Sequence, residues 1–398
     1  MQLNWNICKI ERREEITILT AKLKNGELLI LTPELKRDQL KKWRNSRTFL
    51  CPQCNAPVNL KVGDIVIPHF AHKKDAACST TFSEGETPEH LMGKQQLYLL
   101  LKKRTKHVEL EPFLRMLSQR PDILVMTESD TMPIEFQCST IPISEMESRS
   151  NGYRSIGMKP IWILHTPTKF TGIAYGVGLF HFSKFHESFF THIHPEGYTL
   201  LTYKPQKERF HYFSNLIHVA GKRYIGIHRS LSVDKQVFPF ARPKTPTKEE
   251  LEQYISIYLA MRNEFLQSRI LLSRRGVNDP FLKMCYEMRM HPTNLPQWVG
   301  LPVAHSESFR EHDCEWQLNL IYFMRRKGIS FKELTNSQIH RFVRRMEVPT
   351  IGQEKACQVY RDFLIAEGIE SFQNHQVIDE MIIFRLLSER LLAKRYEN

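Results

Sequence analysis

No apolar run in this chain of 398 residues approaches the length of a membrane span. The start, Met1-Gln2-Leu3-Asn4-Trp5-Asn6, lacks the basic-then-apolar order of a secretion signal. Both absences point to the cytoplasm, where thiols stay reduced. The eight cysteines are therefore expected to be free or metal-bound, and a disulfide framework is disfavoured. There is no internal repeat and no low-complexity tract. Acid is in short supply: Lys and Arg number 56 against 43 Asp and Glu, a formal net charge of +13. That balance favours polyanionic partners such as nucleic acid but says nothing about fold. The hydrophobic fraction of 41% rules out global disorder, and the length calls for two or three domains.

The first region, 1–82, reads as a β-hairpin followed by a metal-binding module. Ile16–Leu23 and Leu28–Leu31 flank Asn25-Gly26, a two-residue hairpin signal. Thr32 as N-cap and Pro33 at the first helical position predict a short basic helix reaching about Arg44. Cys51-Pro-Gln-Cys54 follows, with His69, His72 and Cys78 downstream. Two thiolates two residues apart can bind one tetrahedral ion, so this spacing is a zinc signature. Cys51, Cys54, His72 and Cys78 are the favoured ligands, with His69 as the alternate for His72. The competing reading is a pair of buried reduced cysteines with incidental histidines.

The second region, 83–241, reads as an α/β layer. Thr87-Pro88-Glu89 opens a helix by cap and proline rules. It carries Glu89, His90 and Lys94 in its first two turns, which taken alone is a solvated helix face. After a short strand around Val108–Phe113, Asp122 begins the run Ile123–Met126. A polar turn leads into Met132-Pro133-Ile134-Glu135-Phe136-Gln137-Cys138. If the hairpin closes about Glu128-Ser129, Asp122 faces Glu135 with Cβ atoms about 5 Å apart. Two carboxylates that close repel each other unless a cation holds both. Oxygen ligands suit Mg²⁺ or Mn²⁺, and alternation puts Gln137 on the face of Glu135. The pattern reads as a metal-dependent phosphodiesterase site. Ser144–Arg154 predicts a helix carrying Arg149 and Tyr153, and Pro160–Leu164 a buried strand. Between 173 and 240, Phe/His alternation suggests further half-buried strands. The last region, 242–398, opens on a capping box, Thr247 to Glu250, and is helical by period. Its basic pairs, such as Arg274-Arg275 and Arg344-Arg345, read as solvated faces.

Taken in order, Cys-Pro-x-Cys, Pro-His-Phe-Ala-His, a Glu-His-x-x-x-Lys helix, Pro-Asp, Glu-x-Gln-Cys-Ser, Arg-x-x-x-Tyr and Trp-Ile-Leu resemble the competence protein CoiA family. The resemblance implies a restriction-endonuclease-like αβββαβ core of the PD-(D/E)XK superfamily, behind a zinc-finger-like module. By the same resemblance, Asp122 and Glu135 would hold Mg²⁺ or Mn²⁺, and Gln137 would occupy the usual lysine position. Glu89 or His90 would join from the leading helix, Arg149 and Tyr153 from the following one as DNA-binding residues, and Lys94 would supply the missing lysine charge. The implied role is processing single-stranded DNA or recombination intermediates during natural transformation, with recombination or DNA-uptake proteins as partners. A non-catalytic, DNA-binding recombination accessory is the alternative.

Overall fold

The computed structural model describes residues 16–73, 78, 87–170, 172–193, 197–273, 275–370, 372 and 380–392. Arg274, half of one basic pair, lies outside them. The chain is a mixed α/β protein in two units. The first is drawn from residues 1–171, 202–211 and 231–241, the second from 172–201, 212–230 and 242–398.

The first unit begins with a six-stranded sheet. Its strands are β1 (Thr17–Ile18), β2 (Thr20–Lys22), β3 (Leu28–Ile30), β4 (Phe49–Leu50), β5 (Pro57–Lys61) and β6 (His69–His72), in the order β1-β6-β5-β4-β2-β3. Asn25-Gly26 does turn the chain between β2 and β3, with Gly26 at φ 86°, a conformation glycine takes without steric cost. The expected strand Ile16–Leu23 is broken at Leu19, because the Leu19 and Thr20 amides both turn to the Glu111 carboxylate. The helix expected from Thr32 starts later. Helix α1 runs Arg37–Ser46, since the Thr32 hydroxyl serves the Glu34 carboxylate and Leu35 N–H closes a turn on Thr32 O at 3.1 Å. Ile18, Leu31, Leu40, Phe49, Leu60 and Phe70 form the core of this sheet.

Next come α2 (Pro88–Arg104), β7 (His107–Leu110), β8 (Ile123–Met126), β9 (Thr131–Gln137), α3 (Ile143–Ser155) and β10 (Ile161–His165). The order helix, three strands, helix, strand matches the periodicity. Thr87 caps α2 by accepting from the His90 amide. Strands β7, β8 and β9 pair antiparallel, with Leu110 opposite Ile123 and Ile123 opposite Ile134. Strand β10 lies parallel to β9. Helix α2 packs on β7, β8 and β9, so β9 is buried along nearly its whole length.

The second unit holds β11 (Gly176–His181), the short α4 (Lys184–Glu187), β12 (Thr191–Ile193) and most of β13 (Gly197–Lys204), β14 (Arg209–Ala220) and β15 (Arg223–Ser232). Strand β11 pairs antiparallel with β15. Phe180, Phe182, Phe213 and Tyr224 are buried and meet ring to ring; their alternation is that of packed strands. Thr247 and Glu250 form the expected capping box of α5 (Lys248–Leu272). Then follow α6 (Pro280–Glu287), α7 (Asp313–Lys327), α8 (Asn336–Val343), α9 (Ile351–Ala366) and α10 (Glu380–Leu392). Trp298, Trp316 and Tyr360 lie at their centre.

Candidate active site and metal centre

The strand register aligns three acids in one row. Continuing β7–β8 by one residue sets Glu111 against Asp122, and the Glu111 amide donates to Asp122 O at 2.9 Å. Continuing β8–β9 by one residue sets Asp122 against Glu135, as hairpin closure about Glu128-Ser129 requires. Asp122 sits just before β8, and its Oδ2 accepts the Phe136 amide at 2.8 Å.

Successive β9 side chains leave on opposite faces. Phe136 lies against Gly93 of α2, while Glu135 meets α3, where Arg149 and Tyr153 donate to its Oε1 at 2.6 and 2.5 Å. Asp122 is reached from α2 instead: His90 Nε2 lies 3.1 Å from Oδ2 and Lys94 Nζ 3.7 Å from Oδ1. The two acids thus draw their partners from different helices. Burial alone would raise the Asp122 carboxyl, but His90, Lys94 and the Phe136 amide hold it well below the usual carboxylate range. Glu135 goes the other way. Its burial outweighs Arg149, and the negative charge of Asp122 adds to the rise. The Tyr153 phenol is pushed far up by burial and by Glu135.

The remaining expected residues are placed as follows. Gln137 is buried, and its amide donates to Ser139 O at 3.0 Å and to Ser139 Oγ at 3.3 Å. Glu89 is half-buried one residue before His90, and its charge acts on the His165 imidazole. Arg149 also packs over the Trp162 ring, 5.4 Å from its centroid. Tyr153 is fully buried. Its hydroxyl serves Glu135.

Two functional residues escaped the sequence reading. Glu111 is buried and sits in the left-handed region at φ 53°, which costs a glutamate about 1–2 kcal/mol. Its carboxylate takes the Leu19 and Thr20 amides, the Thr20 hydroxyl at 2.7 Å and the Lys94 ammonium at 2.6 Å. Gly93 is the other, because α2 reaches β9 only where no Cβ intervenes. The signal for Glu111 was its register with Asp122, hidden because a turn of unknown path separates the two in sequence.

The thiol cluster assembles as expected. The ligand atoms of Cys51, Cys54, His72 and Cys78 all lie within 4.8 Å of one another, and among the described residues this is the one such group of three or more His, Cys, Asp or Glu. His69 stands apart, its Nδ1 on Ile67 O at 2.9 Å. His72 Nδ1 faces Ile16 O at 3.2 Å, which turns Nε2 toward Cys54 Sγ at 3.5 Å. Hydrogen bonding from Cys78, opposed by burial and helped by His72, drops the Cys51 thiol to about 3, while the same contact pushes Cys78 far up. Three sulfurs and one imidazole in this compass fit a tetrahedral ion such as zinc. A separate groove of about 890 Å³ opens beside α1 and β5, lined in part by Arg44, Arg47, Lys61 and Lys73. None of the carboxylate-site residues lines it.

Comparison with known proteins gives two family matches. Residues 86–241 match the family model described as "Competence protein CoiA, nuclease-like domain", and residues 32–81 match "Competence protein CoiA, N-terminal domain". The chain is also 30% identical over 341 residues to a competence protein CoiA of Bacillus subtilis (strain 168), a match spanning 81% of this chain and 87% of that protein. No solved structure matches.

Proposed function

Because the chain belongs to the competence protein CoiA family, we propose that it is a divalent-metal-dependent deoxyribonuclease with a restriction-endonuclease-like core, acting on single-stranded or recombination-intermediate DNA during natural transformation. The observation that carries this reading is the pair Asp122 and Glu135, set opposite each other by the β8–β9 register, with Glu135 buried, Asp122 half-buried and their carboxyls shifted in opposite directions. The donor set fits Mg²⁺ or Mn²⁺: both ligands are carboxylates, and a hard cation would relieve both the burial of the Glu135 charge and the smaller repulsion that Asp122 adds.

A divalent ion held by Asp122 and Glu135 supplies Lewis acidity toward a phosphate oxygen and a more acidic bound water. The protein's own groups do the rest. Arg149 and Tyr153 fix Glu135 from one side, and His90 and the Phe136 amide fix Asp122 from the other. Lys94, 3.7 Å from Asp122, brings the positive charge that Gln137 lacks, to offset charge building on the phosphoryl oxygens. In this reading His90, 3.1 Å from Asp122, orients the attacking water, and Glu89 stands beside it in the first turn of α2. Arg149, 12% exposed at its side chain, contacts phosphate through its outer edge. Zinc at Cys51, Cys54, His72 and Cys78 is structural in this scheme.

The test is incubation with labelled single-stranded, double-stranded and branched DNA plus Mn²⁺, beside Asp122→Ala and Glu135→Ala. Cleavage by wild type alone is expected. Equal cleavage by wild type and both variants removes these residues from the reaction.

One observation favours a second reading, a DNA-binding recombination accessory without catalysis. Each carboxylate already has cationic partners, and the Gln137 amide is turned onto Ser139. That reading predicts salt-sensitive DNA binding, centred on the Arg44–Lys73 groove, that survives loss of both carboxylates.

A further inference from the structure

We propose that Glu111 is the positioning residue for Lys94, and that through it the strands beside the thiol cluster set where the Lys94 ammonium stands at Asp122. The catalytic half of this rests on the nuclease reading above; the structural half does not.

The argument starts from burial. The Lys94 and Glu111 side chains are each 1% exposed, and a charge so placed persists only where a partner and hydrogen bonds compensate it. Lys94 has Glu111 Oε1 at 2.6 Å and Asp122 Oδ1 at 3.7 Å. The nearer partner therefore decides the position, and Asp122 takes the ammonium where Glu111 leaves it. Glu111 is itself held from elsewhere. Its Oε2 accepts from the Thr20 amide at 3.1 Å and the Thr20 hydroxyl at 2.7 Å, and both oxygens lie 3.0 Å from Leu19 N. These donors sit where β1 passes into β2. Strand β1 is in turn held by β6, with Thr17 opposite Ala71 and Ile18 opposite Phe70. The His72 ring and amide both meet Ile16 O. A path of polar contacts joined by the β1 backbone thus runs from a thiol-cluster ligand through Ile16, Leu19 and Thr20 to Glu111, Lys94 and Asp122. The Glu111 backbone pairs with Asp122 O at 2.9 Å, and the service of its carboxylate to the site is to hold Lys94.

The test separates charge from scaffold. In Glu111→Gln the carboxamide oxygen can still accept from Leu19 and Thr20, but the nearer of the two negative charges facing Lys94 is gone. Hydrogen exchange at the Leu19 and Thr20 amides is expected to stay as slow as in wild type, while kcat for DNA cleavage with Mn²⁺ falls roughly a hundredfold at unchanged KM. Wild-type kcat in this variant overturns the positioning role. A melting cycle in divalent-free buffer reads the pair without catalysis: Glu111→Gln and Lys94→Met each melt several degrees lower, and the double variant recovers most of the loss. Additive losses overturn the pairing. Should Lys94→Met fail to fold, folding of the double variant is the expected rescue, and its failure also overturns the pairing. A wild type inactive on every DNA sinks the nuclease reading, and the melting cycle then still decides whether Glu111 holds Lys94.

Discussion

Gly93→Ala should loosen the candidate site from a position that touches none of its acids. An added Cβ would stand 2.7 Å from Phe136 Cδ1 and 2.8 Å from Phe136 Cζ, and closer still to Cε1. Carbon atoms rest at about 3.5–4.0 Å, so helix and ring must part by about 1 Å. The ring has little room to yield: Phe136 is 1% exposed, with the His90, His165 and Tyr203 rings 6.0, 6.3 and 6.0 Å away. Helix α2 must therefore retreat, taking His90 and Lys94 away from Asp122. Alanine returns about 0.8–1.0 kcal/mol of helix propensity, against about 1–3 kcal/mol for overpacking, a net loss of up to about 2 kcal/mol. Activity should suffer more than stability, because a displacement of about 1 Å costs on the order of a hundredfold in rate. Urea melts measure the first and Mn²⁺-dependent cleavage the second; adding Phe136→Leu should restore part of both. A Gly93→Ala protein as stable as wild type, or more so, and equally active would refute the close-approach argument.

Cys54→Ser, or a strong chelator under reducing conditions, should release metal and expose the segment from Phe49 to His72 to limited proteolysis, since structural zinc contributes folding free energy directly. Full protection in metal-stripped protein would contradict this. Tyr153→Phe should cost about 1.5–3 kcal/mol near pH 8, the worth of a hydrogen bond to a charged group. The folded phenol titrates above its unfolded value, so wild type holds the whole advantage below about pH 10 and loses it above, where the unfolded tyrosine ionises. Urea melts at about pH 8 and about pH 11 should show the gap narrowing; a gap that widens on the alkaline side contradicts the burial of this hydroxyl against Glu135.

Much of the architecture was legible because it is local. The Asn25-Gly26 turn, the Thr87 cap, the Thr247–Glu250 box and the symmetric hairpin between Ile123 and Gln137 are each written within a few residues. The thiol ligands were legible for the same reason, since their spacing suits one tetrahedral ion. One exception was also local in cause. Thr32 met the rule for an N-cap, yet its hydroxyl was taken by Glu34, and α1 began at Arg37 instead.

By itself, then, the chain's order of residues determined which segments become strand or helix, and which acids, thiols and imidazoles are available to share an ion. Only the tertiary structure chose His72 over His69, buried Tyr153 beneath Glu135, and brought Glu111 and Gly93 into the neighbourhood of Asp122. The physical reason is distance along the chain. Propensity and spacing act over a few residues, whereas Glu111 finds Leu19 from 92 residues away, and a bond of that kind exists only once sheets and helix have packed around it.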